Sequence, residues 1–416
     1  RDARWRDGGA RMLILAVILV VLPFAMFVYA YFGYPFLLWL ATKVAKTAPE
    51  EGSAGGMDGS HTARAGAGAD AEMDWPYITI TVPAYNEERR IRSTIEGLLA
   101  IDYPADRRQI LIASDASSDG TDAIVREFAS EGVELLRVEP RGGKTNAENR
   151  AGPVIRGEIV VNTDASIRIL PHSVKALVRA LRDPAVGVAS GRDISVGDEE
   201  REGNRGESGY VGYEMWVRSL ETRLGSIVGA SGCCYAARAE IQRVTLPGDL
   251  ARDFASALIA RQMNLRAVSV SEATCTVPRT TSLRAEMRRK VRTMAQGLET
   301  LWHFRALMNP FREGAFALML ISHKLCRWLV YLTIPLALIG LVLLGLHLPA
   351  AFVLLALVLL GWVIGALALR WPEARRIPLP LALAGFAVAS NTAGMLAWLK
   401  VFRRQRMPTW EPTRRP

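Results

Sequence analysis

Met12 to Leu40 contains no charged residue, and most of Trp328 to Leu399 is equally bare. Runs of this length match the hydrocarbon core of a bilayer, which a helix crosses in about 20 apolar residues. The first run is too long for the apolar core of a cleavable signal and lacks a clean small-residue cleavage site, so it reads as a retained span. Between the runs the composition is ordinary for a soluble protein. These features define a membrane-anchored chain with one soluble domain.

The expected organisation is an N-terminal transmembrane segment (12–42), a flexible Gly/Ala-rich linker (43–75), an α/β domain (76–275), amphipathic interface helices (276–326), a C-terminal transmembrane region (327–402) and a basic tail (403–416). The net charge is +10, and much of the excess flanks the apolar runs, at Arg370, Arg375, Arg376, Arg403, Arg404, Arg406, Arg414 and Arg415. Anionic lipid and cytoplasmic loops account for such clusters more economically than nucleic acid, which is not expected as a partner. Cys233, Cys234, Cys275 and Cys326 show no CxxC pairing and no nearby His set, so neither a zinc site nor a disulfide framework is suggested. Free thiols fit a reducing compartment.

Trp328 to His347, Pro349 to Leu369 and Ile377 to Val401 read as spans. One span before a cytoplasmic domain and three after it would put both basic termini outside, against the positive-inside rule. Ile377 to Val401, with Pro378, Pro380, Asn391 and Gly394, is therefore the suspect for a re-entrant or interfacial segment.

Within the domain, strand, loop and helix recur. Tyr77-Ile-Thr-Ile-Thr-Val82, Gln109 to Ala113, Glu134 to Val138 and the run into Asp164 are the strands. Helical faces follow at Ile91, Ile95, Leu98 and Leu99, and at Ile124, Val125 and Phe128. This alternation predicts a mostly parallel sheet with helices on both faces. Arg192 to Gly212, charged and Gly-rich, reads as a mobile loop. Leu283, Met287, Val291, Met294, Leu298 and Leu301 recur at helical spacing among basic residues, a pattern that can lie on a membrane surface.

Glu158-Ile-Val-Val-Asn-Thr-Asp164 is a β-branched run stopped by an acid, which sets a carboxylate at the C-terminal edge of the sheet, where such folds bind ligands. Asp164 either holds a divalent cation there or caps the helix that follows.

Six motifs occur in order: Pro83-Ala-Tyr-Asn-Glu-Glu88, Ser114-Asp-Ala-Ser-Ser-Asp-Gly-Thr121, Arg141-Gly-Gly-Lys144, Asn162-Thr-Asp-Ala-Ser166, Ala251-Arg-Asp253 and Arg289-Lys-Val-Arg292. Together they resemble the family 2 membrane glycosyltransferases with a GT-A domain, relatives of the cellulose, chitin-oligosaccharide and hyaluronan synthases. The likeness spans about Tyr77 to Leu307, and Ser322-His-Lys324 and Trp410-Glu-Pro-Thr413 look like membrane-side parts of the same group.

The resemblance implies that Ala84, Tyr85, Glu87, Asp115 and Lys144 bind the nucleotide, with Asp115 accepting the imide N–H of uracil. It implies that Asp164 binds Mg²⁺ or Mn²⁺ on the diphosphate, Ser166 standing where a second acid is usual. Asp253 is the implied base, with Arg252 in place of the usual acid before it and Asp249 close enough to compete. Arg289 and Arg292 would face the leaving diphosphate, and Ser231 and Gly232 would form the acceptor loop. For Asp115 and Asp119 the residues alone also allow turn and cap roles, and for the arginines contacts to lipid headgroups. The expected activity is an inverting transfer of a hexose or N-acetylhexosamine from a UDP-sugar to a polysaccharide or lipid-linked acceptor. It is expected at the cytoplasmic face of the cell membrane. Ser166, Arg252 and Thr293, each a departure from the motifs, leave a decayed nucleotide-sugar or lipid-carrier binding protein as the alternative.

Overall fold

Ile78-Thr-Ile-Thr-Val-Pro-Ala84 (β1) alternates apolar and hydroxyl side chains, yet every one of its residues is buried. The hydroxyl face is covered as well as the apolar one, because Thr79 donates to Gln109 Oε1 at 2.8 Å and Thr81 to Asn162 Oδ1 at 2.8 Å. The computed structural model describes residues 2–47, 74–196, 205–278, 283–371, 378–405, 407 and 409. The other strands are β2 (Arg108–Asp115), β3 (Val133–Val138), β4 (Ile159–Thr163), β5 (Arg168–Ile169), β6 (Val186–Val196), β7 (Cys234–Arg238) and β8 (Arg266–Pro278). They form one sheet in the order β3-β2-β1-β4-β7-β6-β8-β5. β3, β2, β1 and β4 run parallel, and β7 lies antiparallel between β4 and β6. The C-terminal ends of β1, β2 and β4 therefore open side by side.

Two apolar cores flank the sheet. One gathers Ile80, Val82, Ile95, Leu98, Val174 and Leu177. The other gathers Val217, Leu220, Leu258 and Ile259 with Tyr34 and Leu38 from the N-terminal helix and Phe316 and Leu320 from a later apolar helix. The soluble domain and the apolar helices thus share a core.

Among the described residues, four helices are long and apolar enough to cross a membrane: Gly9–Val44, Ala315–Gly345, Ala350–Ala368 and Leu379–Phe402. The first and second each contain a π-helical stretch, Tyr29–Gly33 and Ile321–Cys326. The second begins at Ala315, ahead of the expected boundary at 327. Leu379–Phe402 is one continuous helix, so no break marks the suspected re-entrant segment.

Three other expectations shift. The stretch read as a mobile loop is β6 up to Val196 and, from Arg205, a helix through Leu224. Arg192 to Val196 pair in register with Thr274 to Pro278, and the helix contributes Val217 and Leu220 to the core, so backbone pairing and one apolar stripe outweigh the local charge and glycine. Leu283–His303 is a helix, as expected, but its stripe meets protein: Leu283 lies against the Gly385 backbone and Lys290 reaches Ser390 Oγ at 3.1 Å. The linker is shorter than expected at both ends, since the first helix runs to Thr47 and Trp75 is buried. Residues 48–73 and the Trp410 to Thr413 motif lie outside the described residues.

Candidate active site

The loops that follow β1 and β2 are knitted together. Asn86, in the left-handed region at φ 52°, accepts from the Ser118 amide at 2.8 Å and donates its own amide to Ser117 Oγ at 3.1 Å. The Glu87 amide donates to Thr121 Oγ1 at 2.8 Å, and the Glu88 amide to Asp119 Oδ2 at 3.1 Å. Asp119 also accepts from the Thr121 amide and hydroxyl. Burial alone would raise its pKa, but these hydrogen bonds outweigh it and hold the carboxyl below its usual range. Asp119 is thus the turn residue of the pair, two positions ahead of the helix that opens at Thr121.

Asp115 ends β2 fully buried, and its two oxygens accept the Gly142 and Gly143 amides at 2.8 Å each. Gly143 sits at φ 93°, which a side chain would strain. The carboxylate expected to meet a base therefore also shapes the Arg141-Gly-Gly-Lys144 loop. Arg141 lies over the Tyr85 ring, its guanidinium carbon 3.6 Å from the centroid, a cation–π contact. Ala84, Tyr85, Glu87, Asp115 and Lys144 thus lie at or just beyond adjoining strand ends on one edge of the sheet.

Lys144 opens a helix through Ala151, and its Nζ donates to Asp164 Oδ1 at 2.5 Å, just past β4. Both side chains keep about a third of their surface exposed, 33% and 39%. Burial works against the ammonium, but Asp164, Glu148 and Asp253 outweigh it and raise its pKa. Asp253 stands in the first turn of the helix Arg252–Gln262, whose N-cap is Ala251. Gly232 approaches so closely that a Cβ there would lie 2.6 Å from Asp253 Oδ2. Ser231, next to it, is buried and donates to both oxygens of Asp193, at 2.7 and 2.8 Å.

Two residues near these acids were not singled out by sequence as contributors. Arg252 is almost wholly buried and donates to the Gln242 and Val244 carbonyls at 3.1 Å and to Asn149 Oδ1. It locks the start of the helix that carries Asp253. Glu148, one turn after Lys144, is buried 3.7 Å from Arg252 Nε. Burial pushes its carboxyl up to about 7, although Lys144 and Arg252 pull it down. The spacing of four from Lys144 was the available signal, but spacing does not reveal burial.

Arg289 is held bidentately by Glu286 on its own helix, at 3.0 and 2.6 Å. That helix meets the Asp253 helix at Thr300, whose Oγ1 accepts the Ala251 amide at 2.9 Å. At 1.5 Å per residue, Arg292 and Arg289 lie about 12 and 17 Å further along.

A solved structure shares this architecture. A mannosyltransferase from Pyrobaculum calidifontis, solved with GDP-Man and Mn²⁺, matches 95% of this chain and 100% of its own, with TM-score 0.67 and 22% identity. The likeness is one of fold, and the fold is GT-A. Residues 79–242 match the sequence profile of Glycosyl transferase family 2, and the chain carries a domain of that family. The match runs from β1 to the end of the Ala239–Gln242 helix, so it includes Asp115, Lys144 and Asp164 and stops before Asp253. Beta-monoglucosyldiacylglycerol synthase of Trichormus variabilis is 29% identical over 156 residues, 36% of this chain and 33% of that protein. Cellulose synthase 2 of Novacetimonas hansenii is 39% identical over 92 residues, 22% of this chain and 6% of that protein. The match to the first thus spans about a third of that relative's length.

Proposed function

We propose that this protein is an inverting glycosyltransferase that moves a hexose or N-acetylhexosamine from a UDP-sugar to a polysaccharide or lipid-linked acceptor at the cytoplasmic face of the cell membrane. The observation that carries the reading is the grouping of Lys144 and Asp164 at the sheet's edge with Asp253 near enough to bias the Lys144 charge. Mg²⁺ or Mn²⁺ suits Asp164, because such ions commonly bind through one or two carboxylates, with substrate phosphates and water completing the shell. Among the described residues no group of three or more acids, histidines or cysteines offers an all-protein cage, so the single-acid arrangement is the one that fits. When bound, the cation supplies positive charge against the departing diphosphate.

The chain's own residues do the rest. Lys144 trades its contact with Asp164 for a phosphate oxygen as the donor arrives. The Asp253 carboxylate, in the first turn of its helix, takes the proton of the acceptor hydroxyl as it attacks. Arg252 fixes the backbone beneath it. Attack in line with the leaving diphosphate inverts the anomeric centre. Uracil fits an Asp115 whose oxygens each retain a second lone pair beside the Tyr85 and Arg141 stack.

Incubating the detergent-solubilised chain with a panel of UDP- and GDP-sugars, with and without Mn²⁺, and measuring released nucleotide tests this. Release dependent on acceptor membranes, with product sized by chromatography, supports it. UDP binding without transfer from any donor would instead indicate a decayed binding protein.

A further inference from the structure

The helix Arg205–Leu224 carries Glu214, Arg218 and Glu221, all buried, against the π-helical stretch of the second apolar helix. His323 is clamped there: its Nδ1 lies 2.6 Å from Glu221 Oε1 and its Nε2 2.9 Å from Glu214 Oε1. Each ring nitrogen thus meets a carboxylate oxygen at hydrogen-bond length. Arg327 donates to the other Glu214 oxygen at 2.8 Å, and Tyr34 to Glu221 at 2.6 Å. The carboxylates' nearest partners are therefore His323, Arg327 and Tyr34.

Two further cations stand by without comparable bonds. Lys324 Nζ is 3.7 Å and Arg218 Nε 3.6 Å from Glu214 Oε1, both beyond hydrogen-bond length. Arg218 has only 9% of its side chain exposed, its Nε has no hydrogen-bond partner, and its other nitrogens reach Ser190 Oγ and the Ala230 carbonyl at 3.4 and 3.5 Å. Besides His323, Arg218, Lys324 and Arg327 thus gather around the Glu214 and Glu221 carboxylates, and burying unbalanced charge is costly. The unsatisfied pair flanks the loop leading to Ser231 and Gly232. A Cβ on Gly229 would lie 3.7 Å from Lys324 Nζ and 3.1 Å from the Phe254 ring, and Phe254 follows Asp253.

We propose that Lys324 and Arg218 form an anion subsite that receives the phosphate ester of a lipid-linked acceptor, presenting its hydroxyl to Asp253 around the Gly229–Gly232 loop. This rests on the transferase reading and adds the acceptor's chemical class. An ester phosphate supplies the charge and the oxygens that the two cations lack. Lys324 belongs to a helix long and apolar enough to cross a membrane, where a lipid arrives from the side. A neutral diacylglycerol acceptor would leave both cations unmatched.

The test uses the full chain in detergent with three probes: farnesyl monophosphate, farnesol and inorganic phosphate. Farnesyl monophosphate should bind at least about tenfold more tightly than farnesol, as one charge-assisted hydrogen bond provides. Lys324→Met should erase that preference, and Arg218→Gln should reduce it while Arg218→Lys retains it. UDP titrated with Mn²⁺ serves as the folding control and should be unchanged in all three variants. Equal binding of phosphate ester and alcohol, or a preference that survives Lys324→Met, overturns the proposal. So does inorganic phosphate binding as tightly as the ester, since that marks a free-phosphate site. Failure of the wild type to bind UDP or GDP with Mn²⁺ would strike the transferase reading instead, and the ester-against-alcohol comparison reads independently of it.

Discussion

Gly232 and Asp253 meet at a distance that leaves no room for a methyl group. Gly232→Ala should push the carboxylate aside and lower kcat by about 10²-fold, the usual cost of a misplacement near 1 Å, with UDP affinity retained. Asp253→Asn keeps the shape and removes the proton acceptor, so transfer should fall by about 10²- to 10⁴-fold while UDP affinity holds. Asp249→Asn should cost far less, and a dead Asp249→Asn beside an active Asp253→Asn would move the base four residues earlier. Glu148 predicts a pH effect. Its carboxyl titrates near 7 when folded against 4.5 ordinarily, so the folded state keeps the proton between those values and stability falls as pH rises through them. Melting curves of Glu148→Gln should show that decline flattened, by about 1.4 kcal/mol for each unit of offset. The order of the motifs, through the family resemblance, joined Asp164, Lys144 and Asp253 as one expected site, and Lys144 does meet Asp164. Arg252 was legible only as a departure from a motif, because its burial depends on Gln242, Val244 and Asn149, which adjacency in sequence does not connect to it.

Elements with a single period were read most accurately. β1 to β4 fall within a few residues of their expected runs, since buried parallel strands announce themselves as β-branched stretches. The Arg205–Leu224 helix was missed because its buried face mixes Val217 and Leu220 with Glu214, Arg218 and Glu221, and a polar buried stripe resembles a solvated one. The Leu283–His303 helix was found, and its partner was not, because an amphipathic stripe fits a lipid surface and another helix equally well. Its link to the site is Thr300, which accepts the N-cap amide of the Asp253 helix. Thr300→Val should leave that amide without its partner, costing about 1–3 kcal/mol of stability, and should lower kcat more than it raises KM. Denaturation and steady-state kinetics on one preparation would check both, and an unchanged kcat would reduce Thr300 to a packing residue.

At the scale of the whole chain, the division into soluble and apolar parts was plain from composition, whereas their union was not. Tyr34 and Leu38 enter the same core as Leu258 and Ile259, and Tyr34 bonds to a carboxylate 187 positions away. Tyr34→Phe should destabilise the molecule by about 1–3 kcal/mol, read as a lower melting temperature of the domain's signal in detergent. The π-helical stretch at Tyr29–Gly33 has a geometric consequence for that union. One extra residue in a helix of 3.6 per turn rotates everything beyond it by about 100°. Before the stretch, Leu19 and Val20 abut Gly340 of the second apolar helix; beyond it, Tyr34 and Leu38 face the domain. A single rod thus changes phase partway along, presenting one side to the second apolar helix alone and another to the core that this helix shares with the domain, as two keys cut at different angles on one shank.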